Sequence, residues 1–209
     1  MTEPEELVRR GYDTIAERYA EWAASFESPA MRWVEKLEQR LPERSRVLDL
    51  GCGGGGPATR TLAARHDLVG VDISERQLER ARRLVPKARF VRADAAEVDF
   101  EPESFDAVVS LFMLGHVPRA KQRPLLERIF EWLAPGGWLL ATFGTANTDD
   151  EVEPDWLGAP MFFASYDEEW NRRAVESAGF VLEEARVAPF EEPGHGVVSF
   201  MWVLARKPA

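Results

Sequence analysis

The sequence predicts an α/β protein with a doubly wound, mostly parallel sheet that follows an N-terminal helical cap. From residue 46 onward, short apolar runs alternate with segments of helical periodicity. This alternation is typical of βαβ units, whose strands run parallel. The last two apolar runs are separated only by EEPGHG, which is too short for a crossover helix. These two runs are therefore predicted to pair antiparallel.

The cap, residues 1–44, is predicted to contain two helices. The second covers residues 28–41 and ends before Pro42, which breaks the pattern. The first has an apolar stripe whose members recur every three to five positions, which indicates a helix. The stripe consists of Leu7, Tyr12, Ile15, Tyr19 and Trp22.

The central part of the chain, residues 45–143, is predicted to supply five strands and the helices between them. Pro57 suits the first turn of a helix, and Ser74 suits an N-cap. The predicted strands cover residues 46–50, 67–73, 88–94, 105–114 and 138–143. The predicted helices cover residues 57–66, 74–85 and 124–133, the last with a possible start near Arg119.

The alternation of predicted strands and helices becomes less regular after residue 143. Residues 144–167 are predicted to be a long connecting loop that acts as a lid, because long loops are often functional. A helix over 168–180, closed by Gly179, and two strands over 180–190 and 197–207 complete the chain. We therefore expect one domain over residues 1–209, made of the cap, a core (45–143), a lid (144–167) and a C-terminal unit (168–209).

Composition narrows the class of protein. Asp and Glu number 36 against 26 Lys and Arg, so the formal net charge is −10, which disfavours a nucleic-acid partner. Cys52 is the single cysteine, so no intramolecular disulfide can form. The sequence shows no signal-peptide pattern and no apolar run of about 18 residues. We therefore expect a soluble, cytoplasmic protein with no membrane partner.

The most distinctive stretch is VLDLGCGGGGP, which runs from an apolar segment into a loop with five glycines among residues 51–56. Gly51, Gly53 and Gly56 satisfy the G-x-G-x-x-G pattern of dinucleotide-binding proteins. Asp72 lies 21 residues after Gly51, where such proteins have an acid for the ribose. A nicotinamide or flavin dinucleotide is therefore an admissible ligand.

The same stretch also satisfies D-x-G-x-G-x-G, through Asp49, Gly51, Gly53 and Gly55. A carboxylate at the strand end would repel a pyrophosphate, whereas it would tolerate a ligand with an amino group and a sulfonium centre. The loop contains no lysine, which excludes a P-loop for nucleoside triphosphates.

Three aspartates end three successive predicted strands. Asp49, Asp72 and Asp94 are spaced 23 and 22 residues apart. Ligands of doubly wound sheets lie outside the carboxyl ends of the strands, so all three carboxylates are expected to face one crevice. Asp72 could accept two hydrogen bonds from a ribose diol, and Asp94 one from an adenine amine. Each could instead be a helix cap or turn residue.

With these motifs the chain resembles the class I S-adenosylmethionine-dependent methyltransferases that act on small molecules. The resemblance implies a Rossmann-like, seven-stranded sheet, mostly parallel with one antiparallel terminal strand. The matching stretches are YDTIAERYAEWA (12–23), VLDLGCGGG (47–55), VGVDIS (69–74), RADAAEV (92–98), FDAVVSLFMLGHVP (105–118) and LAPGGWLLATF (133–143).

The resemblance also implies S-adenosylmethionine as the cofactor and a set of residues that bind it. Gly51 and its neighbours would line the methionine part, and Asp72 would bind the ribose hydroxyls. Asp94 and the backbone of Ala95 would hold the adenine edge. Gly54 stands where the family often has a hydroxyl residue. The implied cofactor-binding residues are Tyr19, Asp49, Gly51, Gly53, Asp72, Ile73, Asp94, Ala95 and Leu111.

The acceptor half of the reaction is less defined. His116, just past the fourth strand, is the candidate general base, and its alternative is a structural role. Tyr12, Tyr19 and Tyr166 could orient an acceptor, and aromatic residues of the predicted lid could wall a small-molecule pocket. No metal ligands are assigned. An NAD(P)-dependent oxidoreductase and a non-catalytic S-adenosylmethionine-binding module remain alternatives, and the oligomeric state is undetermined.

Overall fold

The computed structural model of the protein describes residues 3–209, which form two sheets and six α-helices. The helices are α1 (Glu3–Ala24), α2 (Ala30–Glu38), α3 (Pro57–Arg65), α4 (Glu75–Leu84), α5 (Arg119–Trp132) and α6 (Glu168–Ser177). The strands are β1 (Arg46–Leu50), β2 (Asp67–Asp72), β3 (Arg89–Arg92), β4 (Phe105–Ser110), β5 (Leu133–Gly144), β6 (Thr148–Trp156), β7 (Ala159–Ser165), β8 (Val181–Glu192) and β9 (Gly196–Arg206).

The main sheet has seven strands in the order β3-β2-β1-β4-β5-β9-β8. The strands β1 to β5 pair in parallel, whereas β9 is antiparallel to both of its neighbours. The predicted fold class is therefore confirmed, including the single antiparallel strand near the sheet edge. The strand order reverses its direction at β1, so the carboxyl ends of β1, β2 and β4 frame the crevice where such sheets bind ligands.

Helices cover both faces of the sheet. On one face Leu125 and Ile129 of α5 are fully buried against the strands. On the other face Trp33 and Leu37 of α2 pack with Trp202 of β9. Burying one large apolar side chain contributes about 1.5–3 kcal/mol, so these layers supply much of the driving force for folding.

The two N-terminal helices have different neighbours, although both belong to the predicted cap. The helix α2 is part of the helical layer on the sheet, whereas α1 packs against the hairpin β6–β7. Val8 and Ile15 of α1 are buried against Met161 and Phe162 of β7. A Cβ on Gly11 would come within 2.7 Å of the Met161 side chain, so this glycine permits the close approach.

The prediction of a loop over 144–167 is wrong, because most of this segment forms the β6–β7 hairpin. Leu157 and Gly158 connect the strands and both have positive φ, 53° and 91°, as two-residue type I′ turns require. The strand β6 is acidic and almost fully exposed. Pro154 of β6 and Pro160 of β7 interrupt the residue alternation typical of strands. These features hid the strand periodicity, since prolines are tolerated in strands only at edges and bulges.

Smaller boundary differences occur around the crevice. The strand β4 ends at Ser110, not at residue 114, and Leu114–His116 form a 3₁₀ turn. Ser74 is the N-cap of α4, as predicted, since its hydroxyl accepts a hydrogen bond from the Gln77 N–H at 3.2 Å. The helix α5 begins at Arg119, which agrees with the earlier of the two expected starts.

Candidate functional site

A cavity lies at the carboxyl ends of β1 to β4 and is covered by α1. Its empty volume is about 710 Å³, including the open solvent at its mouth. One side, the strand-end wall, is lined by Gly51, Gly53, Asp72, Ile73, Asp94 and Ala95. The opposite side, the α1 wall, is lined by Glu5, Val8, Tyr12 and Tyr19. Leu111, Met113 and His116, which follow β4, lie between these walls.

The glycine loop is shaped by three residues with left-handed backbone conformation. Gly51, Gly53 and Gly55 have φ of +83°, +52° and +74°. Gly56, by contrast, is the N-cap of α3 with φ −64°. The glycines that need the freedom of a missing Cβ are therefore those of the D-x-G-x-G-x-G pattern, not the last glycine of G-x-G-x-x-G.

Gly51 and Gly53 differ in what surrounds them. A Cβ on Gly51 would lie 2.5 Å from the Met113 Cβ and Cγ atoms, so packing excludes any side chain there. A Cβ on Gly53 would have no atom within 4 Å among the described residues, so it would project into open space. Gly53 thus leaves its backbone accessible to a ligand.

Asp72 ends β2 and organises the loop beside it. Its Oδ2 accepts a hydrogen bond from the Gly53 N–H at 2.8 Å, and its Oδ1 accepts one from the Ser74 N–H at 2.9 Å. Burial raises the pKa of Asp72 to about 6, against the lowering effect of these two bonds. Each carboxylate oxygen keeps a free lone pair, so Asp72 can still accept hydrogen bonds from a ligand in the cavity.

Asp94 follows β3 and carries an unsatisfied acceptor. Its Oδ1 accepts a hydrogen bond from the Ala96 N–H at 2.9 Å. Its Oδ2 is buried and has no hydrogen-bond partner within residues 3–209. Burial also raises the pKa of this carboxyl group. A buried oxygen without a donor costs about 1–3 kcal/mol, so this site favours a ligand that brings an N–H or O–H.

Asp49 does not join the other two aspartates on the cavity wall. Its Oδ2 accepts a hydrogen bond from the Thr59 hydroxyl of α3 at 2.7 Å, and its side chain is buried. Burial raises the pKa of Asp49 to about 6. The expectation that all three carboxylates face one crevice is therefore wrong for Asp49, whose carboxylate is bonded to Thr59 of α3 and does not line the cavity.

Tyr12 and His116 form a hydrogen-bonded pair between the α1 wall and the segment after β4. The Tyr12 hydroxyl lies 2.8 Å from Nε2 of His116, and Nδ1 lies 2.9 Å from the Phe162 carbonyl oxygen. A carbonyl oxygen only accepts, so Nδ1 carries the proton and Nε2 accepts from the Tyr12 O–H. Burial lowers the pKa of His116 to about 4 and raises that of Tyr12 well above its ordinary value. Both groups are therefore neutral near pH 7.

The remaining predicted residues divide into two groups. Tyr19, Ile73 and Leu111 line the cavity, and burial raises the pKa of Tyr19 to about 12. Tyr166 lies away from the cavity, where its ring stacks on Trp170 with centroids 3.5 Å apart. The predicted role of Tyr166 in orienting an acceptor therefore lacks support from its position.

The aromatic residues of the hairpin support the α1 wall from behind. The Trp156 ring centroid lies 5.8 Å from that of Tyr12 and 5.9 Å from that of Tyr19. The lid residues that were expected to wall an acceptor pocket instead hold the two tyrosines in place. Sequence reasoning missed Glu5 and Val8 in the cavity, although both share a helical face with Tyr12 at three- and four-residue spacing.

Strand order and the position of the crevice define a doubly wound α/β protein with a ligand-sized cavity and two acids at the carboxyl ends of its strands. Comparison with known proteins narrows this class. A family model described as a methyltransferase domain matches residues 47–137. The chain is 34% identical over 162 residues to 27-O-demethylrifamycin SV methyltransferase of Amycolatopsis mediterranei, which covers 66% of this chain and 59% of the relative.

Two further comparisons agree. The chain is 33% identical over 179 residues to sterol 24-C-methyltransferase of Debaryomyces hansenii, covering 74% of this chain and 45% of the relative. Its fold is similar to that of 1,6-didemethyltoxoflavin-N1-methyltransferase of Burkholderia thailandensis, with a TM-score of 0.75 and 19% identity. That match covers 100% of this chain and 92% of the other. The chain spans about half the length of these two curated relatives.

The chain belongs to the class I S-adenosylmethionine-dependent methyltransferases. The predicted family is thereby confirmed, and the comparisons give no support to an NAD(P)-dependent oxidoreductase. Across residues 3–209, no helix has the length and apolar character that crossing a membrane requires.

Proposed function

We propose that this protein transfers the methyl group of S-adenosylmethionine to a small-molecule acceptor in the cytoplasm. The proposal rests on the strand-end wall, because the unpaired acceptor oxygens of this wall match the hydrogen-bond donors of an adenosine. The Asp94 Oδ2 atom is a buried acceptor without a donor, and Asp72 has lone pairs left at the end of the next strand. Gly53, whose N–H donates to Asp72, has open space where a side chain would be, so a ligand can approach its backbone. An adenine amine and two ribose hydroxyls supply the donors that these acceptors need.

We assign the cofactor contacts accordingly. Asp72 would accept from the ribose hydroxyls, and Asp94 with the Ala95 backbone would hold the adenine edge. Ile73 and Leu111 would pack on the adenine faces. The methionine part would lie along the backbone of Gly51 and Gly53, with Tyr19 above it. Asp49 would favour the cationic part through its charge, without direct contact.

The Tyr12–His116 pair is the group that we propose handles the acceptor's proton. S-adenosylmethionine supplies a methyl group already activated on a sulfonium centre, so the protein's task is alignment and proton removal. An acceptor O–H or N–H would donate to the Tyr12 oxygen. As the acceptor's proton moves to Tyr12, the Tyr12 proton moves to Nε2 of His116. The Phe162 carbonyl holds His116 in the tautomer that this transfer requires.

A small molecule is the acceptor class that the cavity and the charge favour. The α1 wall and the aromatic residues behind it enclose the region beyond the strand ends, as is typical of small-molecule sites. A net charge of −10 opposes the approach of a nucleic acid. The single cysteine agrees with a reducing compartment.

A transfer assay tests the proposal. The protein is incubated with methyl-labelled S-adenosylmethionine and a panel of small hydroxylated, amino and carboxylated compounds. We expect label in at least one product, and a fall in kcat of roughly 10²-fold for His116→Gln with cofactor affinity unchanged. Binding of S-adenosylhomocysteine without transfer to any acceptor would instead favour the non-catalytic module.

A further inference from the structure

Glu5, on the first turns of α1, is a buried carboxylate that is only half satisfied. The residue is 3% exposed and lines the cavity. Its Oε1 accepts a hydrogen bond from the Lys121 Nζ of α5 at 2.6 Å. Its Oε2 is buried and has no partner in the part of the chain that the structure describes. Such an oxygen is costly unless a ligand supplies a donor.

Asp94, across the cavity from α1, is in the same condition at its Oδ2 atom. Both carboxylates line the same cavity, and the charges of Glu5 and Glu97 both help to raise the pKa of Asp94. Lys121 is their common counter-ion, because it binds Glu5 directly and its charge lowers the pKa of Asp94. The cavity is therefore lined by two carboxylates, one on each wall, that each keep one oxygen without a partner among the described residues.

Two acceptors without donors on the walls of one cavity match a primary amine, which offers two N–H groups from one nitrogen. A keto oxygen at the same place would meet two carboxylates and be repelled. We propose that Glu5 is a second recognition residue for the adenine 6-amine, so that Asp94 and Glu5 each accept one of its two hydrogens. This assignment rests on the proposed function, which places the adenine at Asp94. It gives α1 a second contact with the cofactor, at the adenine, beside that of Tyr19.

Glu97 provides a matched control for Glu5. Its Oε1 accepts a hydrogen bond from the same Lys121 Nζ at 2.9 Å. Its side chain is 62% exposed, however, and it does not line the cavity. Removing Glu97 takes one ion-pair partner from Lys121 and leaves the cavity lining unchanged, whereas removing Glu5 takes an ion-pair partner from Lys121 and also changes the cavity lining.

The experiment is a calorimetric titration of the full chain with S-adenosylhomocysteine and with S-inosylhomocysteine, in which a keto group replaces the 6-amine. The proteins are wild type, Glu5→Ala, Glu5→Gln and Glu97→Ala, each checked by circular dichroism. For wild type we expect tight binding of the amine and binding of the keto compound weaker by roughly 10- to 100-fold. Glu5→Ala should weaken amine binding at least about tenfold and narrow the gap between the two ligands.

Glu97→Ala should change neither affinity by more than about twofold, since exposed ion pairs contribute little. Glu5→Gln keeps the size of the side chain and one neutral acceptor, so its affinity should lie between those of Glu5→Ala and wild type. The assignment is overturned if folded Glu5→Ala binds the amine as wild type does, or loses equal affinity for both ligands. Wild-type protein that binds neither ligand would overturn the proposed function itself.

Discussion

The two walls of the cavity are built in different ways. The strand-end wall comes from loops that directly follow β1, β2 and β3, and its hydrogen bonds join residues close in sequence, such as Asp72 and Gly53, 19 residues apart. The α1 wall depends on contacts over long stretches of chain, such as Tyr12 with His116, 104 residues apart. The comparison leads us to expect that the strand-end wall binds the cofactor through local geometry, while the α1 wall adds Glu5 and Tyr19 to the cofactor site and brings Tyr12 to the acceptor.

The largest effect is expected at Gly51, which tests whether close packing fixes the strand-end wall. Gly51→Ala places a Cβ 2.5 Å from Met113 atoms at a residue with φ +83°, so we expect a loss of roughly 2–4 kcal/mol in unfolding free energy. Gly53→Ala is the control, because it has similar backbone strain and open space; it should cost only about 1–2 kcal/mol. Urea unfolding measures both, and equal losses would show that the packing against Met113 is unimportant.

Asp72 tests the strand-end wall as a binding surface. Asp72→Ala removes the proposed ribose acceptor and the partner of the Gly53 N–H, so the affinity for S-adenosylhomocysteine should fall roughly 10- to 100-fold. Asp67→Ala, at the exposed start of the same strand, should leave affinity unchanged. A calorimetric titration gives both values. Unchanged affinity in Asp72→Ala would remove this residue from the ribose role.

Tyr12 tests whether the α1 wall also takes part in catalysis. Tyr12→Phe keeps the ring but removes the hydroxyl that donates to His116, so kcat should fall roughly tenfold or more. The cofactor's dissociation constant should stay within about threefold. Tyr166→Phe is the matched control, since its ring stacks on Trp170 away from the cavity. If kcat is unchanged in Tyr12→Phe, the proposed proton path is wrong.

The smallest effect concerns pH. The pKa of Asp72 is raised to about 6, and a ligand that donates to it favours its ionised form. Cofactor affinity should therefore rise with pH through this value, by about fourfold between pH 5.5 and 7.5. The same raised pKa means that Asp72 costs the free protein stability as the pH rises from about 4 to 6. Titrations of wild type and Asp72→Asn at both pH values check the first effect, because the variant should lack it.

The strand-end wall was largely predictable from the sequence because its determinants are local. A glycine loop after an apolar run, and acids after the next two strands, specify positions that the sheet then brings together. Asp49 shows where this reasoning stops. Its place in the motif is clear, but whether its side chain points to the cavity or to Thr59 depends on how α3 packs. The motif alone does not contain that information.

The α1 wall was predictable only in part, because it is set by tertiary packing. His116 was found as a candidate, yet its pairing with Tyr12 needs α1 to lie across the crevice, held there by the β6–β7 hairpin. That hairpin was predicted as a loop, since its acidic outer strand lacks apolar alternation. The position of Glu5 could have been read from the sequence, because it lies on the same helical face as Tyr12. It was missed because a glutamate is rarely buried without a partner.

A crystal structure of the complex with S-adenosylhomocysteine tests most directly the claim that the strand-end wall holds the adenosine and that the Tyr12–His116 pair faces the reacting centre. We predict the ribose at Asp72, the adenine amine at Asp94, and the sulfur turned towards the Tyr12–His116 pair. A ligand bound away from Gly53 and Asp72, or one whose sulfur faces away from this pair, would contradict the account.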